Sequence, residues 1–177
     1  MRYEISRMAS LNKDLIKKNI FKFLEYSGVT DISFAYVLSV SDKQIKRIRK
    51  GEAEFSIDNI NKACDFFGMS VLSLNSANLD VDQQFRSKLI KKHRGNDEYI
   101  KLLVDRPSIS YAIKYELLQN DKFIDKSLTV KQIREIFEAR GWLFTSAYIS
   151  LSLKRNSHLF EIAINPTKKG TFLYSKK

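Results

Sequence analysis

Between Asp42 and Lys50 the chain sets five basic side chains, Lys43, Lys46, Arg47, Arg49 and Lys50, beside one acid, Asp42. At the roughly 100° advance per residue of an α-helix, Lys43, Lys46, Arg47 and Lys50 fall on one arc while Ile45 and Ile48 point the other way. A rod of this kind suits the major groove of a DNA duplex. The isoleucines anchor it, and the cations meet phosphates or the acceptor edges of bases. A helix that merely solvated a surface would carry mixed signs. Ser41 is a capping residue placed to start the helix, and Gly51 is placed to stop it.

The whole chain agrees in sign. Its 177 residues carry 31 lysines and arginines against 20 aspartates and glutamates, a formal +11 that favours polyanionic partners. The excess is uneven: 12 basic against 9 acidic side chains up to residue 76 (+3), and 19 against 11 after it (+8). Hydrophobic residues make up 44% of the chain, ordinary globular usage and enough for packed cores.

Other chemistries find little support in the residues. There is no glycine-rich phosphate loop and no activated serine or cysteine setting, so no catalytic residue is expected and an enzyme is not the reading. Cys64 is the single cysteine. It lies in an apolar helical stripe that would bury it as a structural thiol, with no intrachain disulfide. His93 and His158 are far apart and lack companions at metal-ligand spacing, so neither a metal nor another cofactor is expected. No apolar run approaches the roughly 20 residues of a membrane span, and a secretory segment is missing. The expectation is a cytoplasmic protein without a membrane partner.

The elements needed to hold the basic helix can be read around it. Ile16, Ile20, Phe23 and Leu24 recur at helical spacing before Ser27-Gly28, and Thr30 can cap a second helix that turns Phe34, Ala35 and Leu38 inward. After the third, basic helix, Ser56 opens a fourth with Ile57, Ile60, Ala63 or Cys64, and Phe67 on one face, and Met69 to Leu74 gives a final turn. This predicts a five-helix N-terminal domain over residues 1–76. The polar stretch Asn75 to Gln83 marks a boundary, and Val81, Phe85 and Leu89 predict a linker helix within 77–98, ended by Gly95.

In residues 99–177, Tyr99 to Val104 and Ile109, Ile113 and Leu117 read as helices. Another starts at a Thr129 cap with Val130, Ile133 and Phe137 inward, and a further one covers Thr145 to Arg155. Leu159 to Ile164, a turn at Asn165 to Gly170, and Thr171 to Tyr174 form a hairpin signature. Helices followed by a terminal hairpin suggest a winged-helix-like α+β domain. The predicted class is thus mainly α, with two domains and a C-terminal β-hairpin.

From Leu38 to Leu74 the string LSVSDKQIKRIRKGEAEFSIDNINKACDFFGMSVLSL resembles the Cro and phage-repressor (XRE-type) helix-turn-helix family without a gap. The likeness rests on Leu38-Ser39-Val40-Ser41 at the turn, Ile45, Gly51, the helix start at Ser56, and Met69-Ser70. Upstream, Thr30 with Phe34-Ala35 is similar to the family's second-helix opening, so the resemblance spans about residues 12–76. It implies a lambda-repressor-like fold and sequence-specific binding of double-stranded DNA by a transcriptional regulator, with repression the expected direction. The family's base-reading positions fall on Asp42, Lys43 and Arg47, with Ser41, Gln44, Lys46 and Lys50 able to reach phosphates or base edges. Two features depart from the pattern. Ser39 replaces the usual turn glycine, and Glu52 and Glu54 stand where relatives carry phosphate-binding cations. Asp31, at a phosphate-facing position, would instead favour its helix N-terminus.

The second module offers its own cations: Lys154 and Arg155 at the end of a helix, and Lys168 and Lys169 in the hairpin turn, where wing tips touch phosphates. With Ile149 and Leu153 inward, Ala147 and Leu151 stay outside, which suits a protein contact better than base reading. Trp142 and Phe144 read as core. The module is expected to support a homodimer, since helix-turn-helix dimers read half-sites about one helical turn apart. A protein partner, as in an antitoxin that represses its own operon, is the alternative.

Overall fold

The computed structural model describes residues 11–177. The chain is mainly helical with a small three-stranded antiparallel sheet, and it divides into two compact units. The first holds residues up to Leu24 together with Asp31–Val81; the second holds Glu25–Thr30 together with Asp82–Lys177. The division therefore differs from the linker expected over 77–98: residues from Asp82 onward, including the helix read there, belong to the second unit. Among the described residues, no helix is long and apolar enough to cross a membrane.

The first unit contains α1 (Lys13–Ser27, up to Leu24), α2 (Asp31–Leu38), α3 (Asp42–Lys50), α4 (Ile57–Phe67) and the single turn α5 (Val71–Leu74). Its core takes Ile16, Ile20, Phe23 and Leu24 from α1, Phe34, Ala35 and Leu38 from α2, Ile45 and Ile48 from α3, and Ile60, Ala63, Cys64, Phe66 and Phe67 from α4. Phe67 is the hub, with Phe34 stacked on it at 5.5 Å and Phe23 at 5.6 Å between centroids. One expected core member stays outside. Ile57 is exposed because it is the first residue after the Ser56 cap, and the buried stripe of α4 starts only at Asn59 and Ile60. Ser56 and Asn59 close a reciprocal capping box, and the buried Asn19 amide of α1 donates to the carbonyls of Leu74 and Ser76, tying down the far end of the unit.

The second unit adds α6 (Phe85–Lys92), α7 (Asp97–Val104), α8 (Ile109–Tyr111), which continues through one π turn and one 3-10 turn to Gln119, and α9 (Asp121–Asp125). Then follow β1 (Leu128–Thr129), α10 (Val130–Glu138), α11 (Ser146–Arg155), β2 (Phe160–Ile164) and β3 (Phe172–Lys176). The sheet order is β1-β3-β2, with Leu128 opposite Tyr174 and Ile162 opposite Tyr174 from the other side. The hairpin is where the sequence predicts it, but β1 and α9 carry too few residues to leave a periodic signal. One core joins Ile113, Leu117, Phe123, Ile133, Phe137, Phe144, Ile149, Leu153, Phe160 and Tyr174, with Trp142 packed half-buried against it. Thr129 and Gln132 form the expected capping box of α10.

Inside this unit Arg86 is buried and forms no ion pair with a carboxylate among the described residues. Its guanidinium donates to the Ser27 carbonyl (2.5 Å) and the Asp105 carbonyl (2.9 Å) and lies 5.4 Å from the Tyr111 ring. A cation on the terminal carbonyls of a helix opposes the negative end of its dipole. Gly28 follows at φ +70°, and a side chain there would meet the Arg86 Nη1 at 2.7 Å.

Candidate nucleic-acid interface

Local chemistry sets the start and end of α3. Ser41 sits in extended backbone (φ −76°, ψ 154°) and its hydroxyl accepts from the Gln44 N–H at 3.1 Å. At the other end Gly51 adopts φ +79°, where its N–H reaches the Ile48 carbonyl and the Glu52 N–H reaches that of Arg47. Ile45 and Ile48 are fully buried. Their anchoring turns the opposite face outward, so Asp42, Lys43, Lys46, Arg47 and Lys50 are exposed and Gln44 is half-buried. The turn before α3 has a strained residue: Ser39 holds φ +56°, the left-handed conformation that glycine adopts freely.

The cations on α3 are not equivalent. Arg49 lays its fork on Asp31, with Nη2 2.5 Å and Nε 3.0 Å from the two carboxylate oxygens, and stacks over the Phe21 ring at 4.1 Å. It braces α3 to the start of α2. Lys46 pairs with Asp42 at 2.9 Å, and that hydrogen bond and charge hold the Asp42 carboxyl below its ordinary range. Lys50 is 3.8 Å from Glu52, and the Arg47 guanidinium Nη2 is 3.5 Å from the Glu52 carbonyl, both weak interactions. Lys43 has no ion-pair or hydrogen-bond partner among the described side chains. The face therefore offers Lys43, Arg47 and Lys50 with little internal compensation. The Arg49–Asp31 pair was missed in the sequence because nothing in a one-dimensional pattern links residues 18 positions apart.

The remaining candidates lie in the second unit. Lys154 and Arg155 are exposed in the last turn of α11, and Lys168 and Lys169 are exposed in the hairpin turn. The fold brings Lys154 to the hairpin, its Nζ 5.9 Å from the Phe172 ring. Ala147, Tyr148 and Leu151 form the outer side of α11, opposite the buried Ile149 and Leu153.

Other potential chemistry is engaged structurally. Among the described residues no group of three or more histidine, cysteine or acidic side chains could hold a metal ion. His93 is buried edge-on to Tyr99, and burial raises the Cys64 thiol above its ordinary pKa. A cleft of about 610 Å³ in the second unit presents Glu116, but Arg140 holds that carboxylate at 2.9 Å. No protein-family model, curated protein or solved structure matches the chain.

Proposed function

We propose that this protein is a sequence-specific, double-stranded-DNA-binding transcriptional regulator, acting as a repressor, in which α3 enters the major groove. In this reading the first unit is a lambda-repressor-like helix-turn-helix domain, with Ser39-Val40-Ser41 as the turn. The observation that carries it is the division of α3 into a fully buried isoleucine pair and an outward face with Lys43, Arg47 and Lys50 exposed. Arg47 supplies a fork for guanine and Lys43 a donor to the same edge or to phosphate, each worth about 1–3 kcal/mol of discrimination where the geometry is met. Ser41, Asp42, Gln44, Lys46 and Lys50 complete the contact surface.

The second unit fits a winged-helix-like domain. Its helix-β1-α10-α11-β2-β3 order and its β1-β3-β2 sheet support that reading, with the Lys168-Lys169 turn as the wing tip. Lys154 and Arg155 add phosphate contacts. The domain's main role in this reading is self-association, which gives a homodimer two recognition helices. A second reading, an antitoxin-like module that binds a protein partner, is favoured by the exposed Tyr148 and Leu151 on α11.

Selection of bound fragments from random duplexes by the full chain tests the proposal. A recovered consensus that Lys43→Glu/Arg47→Glu no longer binds, with circular dichroism unchanged, supports it. Failure to enrich any sequence, or equal binding by the double variant, refutes it.

A further inference from the structure

The hydrogen-bond phase of the sheet leaves one edge open. The Asn165 N–H donates to the Thr171 carbonyl and the Lys177 N–H to that of Leu159, both on the register that pairs β2 with β3. Because antiparallel ladders alternate, residues 159, 161, 163 and 165 turn their backbone groups toward β3. Phe160, Ile162 and Ile164 therefore turn theirs away from it. With β1 on the far side of β3, β2 is the sheet's edge.

That edge lacks the features that normally keep edges apart. Phe160–Ile164 reads FEIAI, with no proline, lysine or glycine and with Glu161 as its one charge. The side chains of Phe160, Ile162 and Ile164 share a face with Tyr174 and Phe172 across the ladder. At the inner end, Phe160 and Tyr174 are buried; farther out, Ile162 is 40%, Phe172 42% and Ile164 75% exposed. The apolar row of the core thus runs outward along a strand whose outward backbone groups meet no strand among the described residues.

We infer that β2 is a self-association surface, pairing antiparallel with β2 of a second copy of this chain about a two-fold axis at Ile162. The inference deepens the self-association element of the proposed function and rests on it. The outward-facing residues are symmetric about Ile162, so that register joins Ile162 to its counterpart and Phe160 to Ile164 of the other copy, each as a reciprocally bonded pair. Glu161 then faces Ala163 of the second copy. Centring on residue 161 would oppose two glutamates, and centring on 163 would set Phe160 against Pro166, which has no N–H. Only the Ile162 register satisfies all three outward residues without facing like charges. An isologous contact of this kind closes as a dimer.

The test uses the full chain without DNA, by sedimentation equilibrium across the micromolar range. The expected result is twice the mass of the chain. Ile162→Pro removes an outward N–H without touching a bond to β3, and Ile164→Lys charges the exposed row; each weakens the dimer by about ten-fold or more. Circular dichroism checks that both fold, and if the proline variant does not, the lysine variant decides. Ile162→Cys is expected to lock the dimer on oxidation, because bonded partners lie about 5.5 Å apart between Cα atoms, within disulfide reach. Ala163→Cys, displaced from its own counterpart in this register, is not. A monomeric wild type, a dimer indifferent to the folded variants, or equal crosslinking at 162 and 163 overturns the inference. Loss of operator binding with this dimer intact refutes the regulator reading alone, and operator binding by a monomer refutes this inference alone.

Discussion

Arg49 and Lys43 belong to the same basic helix, yet exchanging each for glutamine is expected to separate stability from the proposed DNA recognition. Arg49 makes a two-bond ion pair with Asp31 and a cation–π contact with Phe21. The pair is partly exposed, 46% for the arginine and 34% for the aspartate, so solvent screening limits it to about 0.5–1 kcal/mol. The ring contact adds about 0.5–1 kcal/mol, and Arg49→Gln is expected to cost about 1–2 kcal/mol of stability in total. Since its fork is turned onto α2, that change should alter operator affinity less than three-fold, roughly 0.6 kcal/mol. Lys43→Gln removes no side-chain partner among the described residues and should leave stability within about 0.5 kcal/mol. The proposed contact with DNA predicts about a 5- to 150-fold loss of operator affinity, equivalent to about 1–3 kcal/mol. If the contact is to phosphate, the slope of log affinity against log salt also falls by about 0.9. Urea denaturation measures the first quantity, and fluorescence anisotropy on a selected duplex at several salt concentrations measures the second. Equal affinity losses in the two variants, or an unaffected Lys43→Gln, would refute the division of labour on α3.

Three further outcomes follow from the backbone and the core. Ser39→Gly relieves φ +56° and should stabilise the protein by about 0.5–1 kcal/mol, the left-handed penalty less the added chain entropy, seen as a higher urea midpoint. Gly28→Ala, at φ +70° with its new Cβ 2.7 Å from the Arg86 Nη1, should cost about 2–4 kcal/mol in the same assay. The Cys64 thiol, buried and shifted upward by that burial, should resist alkylation at mildly alkaline pH in the folded protein and react promptly in urea. Rapid labelling of the native chain would contradict that placement.

The parts legible in the sequence are those governed by near neighbours along the chain. Ser41, Ser56 and Thr129 each cap the helix that their residue types announce, because a cap bond spans only two or three residues, whereas Thr145, read as part of its helix, is the cap before it. The isoleucine spacing of α3 likewise determined which side faces inward, and with it the exposure of Lys43, Lys46, Arg47 and Lys50. Ile57 shows where periodicity overreached: it lies near the stripe in sequence, but the stripe's first turn is already solvent-facing.

Tertiary structure decided what depends on partners brought from afar. It engaged the still exposed Arg49 by meeting it with Asp31, and it buried Arg86 on carbonyls 59 and 19 residues distant. It also assigned Glu25–Thr30 to the second unit and left β2 at the rim of its sheet. Helical phase and capping are short-range and survive projection onto a line of letters. Ion-pair choice and strand order are set by which surfaces the packed core presses together, and they exist only once the chain has folded.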